Sequence, residues 1–193
     1  MSSEEAFAIS WKQLPQRDCW RANDNLAEQD QDTSNVVHRK FNLKQCENPI
    51  ALQSGGWEYL DHTADVQIHS WGIDMSEAYG AAVVAMSGYM VELGDIPGNL
   101  QAEVHIQGHD EQSLLFNLMD ECLYVFHTEQ FVTKRVIVQS LDTFTWEIKA
   151  TLQGGSFDSS RHSQGTEVKA ITYSNMQIVK KPGSVEAFVI VDI

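Results

Sequence analysis

Hydrophobic and polar positions change their rhythm sharply near residue 57. Before it, the polar run Asn23 to Asn35 follows neither a helical nor a strand period, and residues 1–56 are expected to form a mostly disordered extension. Within it, Phe7, Trp11 and Leu14 fall at i, i+4 and i+7, the spacing of one face of a short helix. From Trp57 the pattern becomes regular. Trp57–Leu60 and Val66–Trp71 read as short strands around the polar corner Asp61-His62-Thr63-Ala64-Asp65, with Val66, Ile68 and Ser70 alternating against Gln67, His69 and Trp71. Asp74, with Glu77 three residues on, predicts a helix start, and Met75, Ala78, Tyr79, Ala82, Val83, Met86 and Met90 form a stripe that should bury one face.

Gly94 and Pro97 end that helix, and a strand through Ala102, Val104 and Ile106 follows. A second helix opens at Asp110, with Leu114, Leu115, Leu118, Cys122 and Phe126 on its apolar side, which makes Cys122 a core thiol. The remainder reads as four strands, 131–138, 143–152, 167–178 and 186–193, separated by Leu141-Asp142, Gly154-Gly155 and Pro182-Gly183. Runs of strands beside only two helices leave too few crossovers for a parallel sheet. The expected fold is α+β: a β-sheet layer with two amphipathic helices packed against it, in a single domain spanning 57–193.

Composition narrows the chemistry. The 193 residues carry 27 acidic and 13 basic side chains, a formal charge of −14. Removing the eight acidic and six basic residues of 1–56 leaves 19 and 7, so about −12 belongs to 57–193. Such a field repels polyanions and provides no counterion release, so direct non-specific nucleic-acid binding is not expected. No apolar run approaches the ~20 residues of a membrane span, and the opening Ser2-Ser3-Glu4-Glu5 lacks the features of a secretory leader; cytoplasm or nucleus is the expected location. Cys19, Cys46 and Cys122 are widely separated and are expected to be reduced thiols. Neither a GxxxxGK[ST] loop, a GxGxxG turn, an HExxH helix nor a GxSxG elbow occurs.

What remains is oxygen chemistry. Asp65 lies where the polar corner enters a strand, Asp192 is the penultimate residue, and the α-carboxylate of Ile193 would add a third anion. Clustered carboxylates in an acidic domain repel one another unless a cation neutralises them, and hard divalent cations prefer such oxygens. The alternative is that Asp65 caps a turn and Asp192 is a solvated end. Lys169, one of seven cations in 57–193, stands within Gly165-Thr166-Glu167-Val168-Lys169-Ala170-Ile171-Thr172-Tyr173, as a site residue or as a solvated strand charge.

Tyr59-Leu60-Asp61-His62-Thr63-Ala64-Asp65-Val66, Trp71-Gly72, the 164–173 segment and the ending Val189-Ile190-Val191-Asp192-Ile193 resemble the archease family. The resemblance covers 57–193. It implies a non-catalytic protein cofactor of the RtcB-type RNA ligase of tRNA splicing, promoting guanylylation of the ligase and multiple turnover. It implies a divalent cation, calcium with magnesium or manganese as alternatives, held by Asp65, Asp192 and Ile193. It points to Lys169 as a functional residue and gives Asp61 and His62 supporting roles. The partner is then a protein ligase complex. The sequence marks no exposed coiled coil or swap-prone strand, so a monomer is the default expectation outside that complex. Two other classes stay open: a stand-alone metal-dependent enzyme acting on phosphates, and a passive chaperone-like adaptor.

Overall fold

The structure, a computed structural model, describes residues 41–46 and 49–193. The expected disorder of residues 1–40, the Phe7/Trp11/Leu14 face and Cys19 lie outside the described residues. Parts of the rest of the expected 1–56 extension are attached to the fold, although Leu52 is 93% exposed. Strand β1 (Lys44–Gln45) pairs with β4 (Leu100–Gln107), Phe41 and Leu43 lie against the core, and Val136 N–H donates to Gln53 Oε1 at 2.8 Å. The folded chain therefore begins upstream of Trp57. A two-residue strand has no hydrophobic period to read, because its stability comes from the edge it completes.

The other elements are β2 (Gly56–His62), β3 (Asp65–Gly72), α1 (Met75–Met90), α2 (Glu111–Glu129), β5 (Phe131–Asp142), β6 (Glu147–Ser156), β7 (Ala170–Ile171), β8 (Gln177–Lys181) and β9 (Ser184–Asp192). All pairings between these strands are antiparallel, which bears out the α+β expectation with two helices. The strands divide between two sheets rather than one. A four-stranded sheet runs β1-β4-β6-β5, and a five-stranded sheet runs β2-β3-β9-β7 with β8 also on β9.

Helix α1 packs against β3 of one sheet and β5 of the other. This explains why it buries Gly80, Ala81, Val84, Ala85 and Ser87 as well as the expected stripe. With sheets on two sides, only small residues fit between the large ones. Its start follows the sequence closely: Asp74 Oδ1 accepts from Glu77 N–H at 3.0 Å, while Glu77 Oε2 accepts from Ile73 N–H at 3.0 Å. At α2, Asp110 Oδ1 accepts from Ser113 N–H at 2.7 Å and Ser113 Oγ accepts from Asp110 N–H at 3.0 Å. The helix ends at Gln130 in the left-handed region, φ 52°.

Cys122 is buried in this core, and burial pushes its thiol well above the ordinary range. Because the thiolate is the reactive form, Cys122 should resist alkylation at pH 8 in the folded protein and react once denaturant is added. Mapping alkylated cysteines by mass spectrometry before and after denaturation checks this; labelling of folded Cys122 at the denatured rate would refute its burial.

Three strand boundaries depart from expectation. Leu141 and Asp142, expected to separate strands, are the last residues of β5, and the next strand opens at Glu147. Gly154 and Gly155 lie inside β6 rather than separating strands. Asn175, at φ 49°, breaks the expected 167–178 strand into β7 and β8, both paired with β9. Upstream of that break, Gly165 and Thr166 N–H donate to Met90 and Tyr89 carbonyls, tying the segment to the end of α1.

Candidate functional site

The β2–β3 hairpin turns through Thr63 and Ala64, with His62 opposite Asp65 and Ala64 at φ 66°. A two-residue loop of this kind fixes the register of every pair behind it. Asp65 opens β3, and the next pair along is Val66 opposite Val191 of β9. Side chains alternate faces along a strand, so buried Val66 and Val191 point inward while Asp65 and Asp192 point outward beside each other. His62 shares that outer face, its Nδ1 3.6 Å from Asp65 Oδ2. Asp61 is opposite Val66 and so belongs to the other face of the hairpin. It is the one expected site residue at this end of the sheet that does not share the outer face.

Lys169 closes the arrangement. Its backbone N–H donates to the Asp192 carbonyl at 2.8 Å, and its Nζ donates to the Ile193 main-chain oxygen at 2.8 Å. Ala170 then pairs with Asp192 in β7. Lys169 thus anchors the last turn of chain with two hydrogen bonds, one of them charge-assisted. Residues separated by more than a hundred positions meet because β9 lies between β3 and β7.

Among the described residues, no three His, Cys, Asp or Glu side chains gather as a metal-ligand group. A cation here would rest on Asp65, Asp192 and oxygen from Ile193, completed by water. That donor set is all hard oxygen, which suits calcium, magnesium or manganese and not zinc. The residues present fit such an ion, with the Lys169 ammonium competing for the Ile193 oxygen.

Further along the same face is a network that the linear sequence did not single out. His69 Nδ1 lies 2.9 Å from Glu58 Oε1, its Nε2 lies 3.4 Å from Glu186 Oε2, and its ring stacks on Phe188 at 4.2 Å. Hydrogen bonding from Lys181, with a smaller contribution from His69, holds the Glu186 carboxyl below the ordinary glutamate range. The Thr63-Ala64 turn was the signal that could have found the first contact, since it puts Glu58 opposite His69.

The Archease protein family (MTH1598/TM1083) model matches residues 57–193. The chain belongs to the archease family. An archease-like protein of Dictyostelium discoideum is 45% identical over 144 residues, covering 73% of this chain and 95% of the relative. One from Drosophila melanogaster is 46% identical over 140 residues, covering 71% and 90%. The solution structure of Methanobacterium thermoautotrophicum protein 1598 is 30% identical with a TM-score of 0.62, covering 72% of this chain and 99% of that one. The archease match begins at Trp57, whereas the packing described above begins at Phe41.

Proposed function

We propose that this archease is a non-catalytic activator of an RtcB-type RNA ligase in tRNA splicing, promoting guanylylation and multiple turnover of the ligase through a divalent-metal site. The observation that carries the reading is the meeting of Asp65, Asp192, Ile193 and Lys169 at one end of the five-stranded sheet. It is supported by membership of the archease family and by the resemblance that assigns these residues. A divalent cation bound there, calcium or else magnesium or manganese, would supply positive charge able to stabilise phosphate oxygens during guanylylation. Asp65 and Asp192 contribute carboxylates from adjacent strands, so the spacing between them is set by sheet pairing rather than by a mobile loop. Lys169 holds the Ile193 oxygen by its ammonium and the Asp192 carbonyl by its amide, which keeps the ligating end of β9 in place. The acidic field of the domain favours a basic protein surface over bare RNA as the partner.

The test is a multiple-turnover ligation assay with purified ligase complex, with and without this protein. Product should keep accumulating only when it is present. Equal yield in both arms would remove the activator role.

Two smaller effects are expected at the site. Lys169→Ala should reduce stimulation more than it reduces calcium affinity, because an ammonium positions the chain end but is not itself a ligand; equal losses in assay and calorimetry would make it only a structural neighbour. One Gly added after Ile193 converts a carboxylate into a peptide carbonyl and moves the charge by ~3.5 Å. Calcium affinity should fall, and unchanged calorimetric affinity would strike Ile193 from the ligand set.

A further inference from the structure

The outer face of the five-stranded sheet does not end at Asp65 and Asp192. Moving two residues along each strand at a time, the register sets Gln67 opposite Leu60 and Ile190, then His69 opposite Glu58 and Phe188, then Trp71 opposite Gly56 and Glu186. Trp71 is held in an unusual way. A Cβ built on Gly56 would lie 2.7 Å from the Trp71 indole, so the ring packs closely against the bare backbone of β2. It remains 37% exposed. Only glycine at position 56 permits that close approach.

The surroundings of this ring are acidic. Glu58 stands two residues from Gly56 on the same face of β2, its side chain 55% exposed. Glu186 stands opposite Trp71 on β9. Lys181 occupies one oxygen of Glu186 at 2.5 Å and His69 approaches the other at 3.4 Å, so Glu58 is the carboxylate with more room for a visitor. The His69 ring, 5.1 Å from Trp71 and stacked on Phe188, lies between the two glutamates, 2.9 Å from Glu58 and 3.4 Å from Glu186.

We infer that Trp71 and Glu58, buttressed by His69 and Glu186, form a seat for a basic side chain, arginine or lysine, presented by the protein partner. The inference rests on the activator reading, which makes that partner the ligase complex. The ring is 37% exposed, and tryptophan is the side chain best suited to hold a cation. The carboxylate beside it supplies the opposite charge, and the domain's charge of about −12 draws a basic surface toward this face. The same carboxylates disfavour the other ligand that a flat ring attracts, an unstacked RNA base with its phosphate. Continuity with the Asp65/Asp192 end means that one docked surface can cover both the seat and the carboxylates.

Calorimetric binding of the full chain to purified ligase complex tests it, with melting temperature and calcium affinity measured alongside. Trp71→Ala and Glu58→Lys should each weaken binding at least about tenfold, with calcium affinity unchanged. Trp71→Phe should retain most of it. The Glu58→Lys loss should shrink as salt rises, since an exposed charge is screened. Glu58→Lys is exposed and leaves the core untouched, so it remains decisive should Trp71→Ala melt early. Wild-type affinity in both variants overturns the seat while leaving the activator reading in place. So does tighter binding by Glu58→Lys, or single-stranded RNA binding that Trp71→Ala abolishes while ligase affinity stays the same. A wild-type chain that does not bind the ligase at all overturns the activator reading and the seat with it.

Discussion

Replacing Asp65 or Asp192 with alanine is expected to abolish ligase stimulation while leaving the cooperative melt within about 0.5 kcal/mol of wild type. Both residues lie at strand ends facing outward, and neither belongs to the apolar core. In the proposed metal site, deleting one would remove a ligand from a set that has only two carboxylate side chains. The loss in calcium affinity should be at least the roughly 10–100-fold seen when residues merely supporting a ligand are removed. Removing a like charge from an acidic cluster costs the fold little and can raise its stability slightly. The measurements are stimulation in the multiple-turnover assay, calcium affinity and Tm. A variant that stimulates like wild type disproves the site, and one that loses both activity and ten degrees of Tm assigns the residue to the fold instead.

The second large effect concerns stability. Gly154 sits in β6, between β4 and β5, and a Cβ added there would lie 1.8 Å from the Val132 carbonyl oxygen. That neighbour is backbone of the paired strand and cannot rotate away. Gly154→Ala must therefore open the β5–β6 ladder or shift its register, at a cost of about 3 kcal/mol, the upper range of overpacking. For a domain of this size that corresponds to a fall in Tm of roughly 6–12 °C. Gly183→Ala is the control: at φ +75° with open space around it, the substitution meets only backbone strain of about 1 kcal/mol. Urea titration of both variants checks the order. If Gly154→Ala is no worse than Gly183→Ala, close approach is not what requires glycine in β6.

Gly154 also marks where reading along the chain stops working. The pair Gly154-Gly155 looks like a break between strands because glycine lacks β propensity, yet both residues belong to β6 because other backbone passes close by. Nothing local signals that approach. The same holds for β1, whose two residues have order only as the edge beside β4, and for Asp61, whose motif neighbours lie on the outer face while it lies on the other.

Local chemistry determined a good deal by itself. The caps Asp74 and Asp110, the apolar spacing of α1 and α2, the alternation of β3 and the burial of Cys122 are all encoded within a few residues of where they act. They depend on short-range hydrogen bonds and on a hydrophobic period, which a linear sequence displays directly. The tertiary structure decided the rest: that the strands form two sheets with α1 between them, that Lys169 reaches Ile193, and that Glu58, His69, Trp71 and Glu186 share one surface. Those facts follow from strand order and register, and β9 lying between β3 and β7 is a choice made by packing of the whole core.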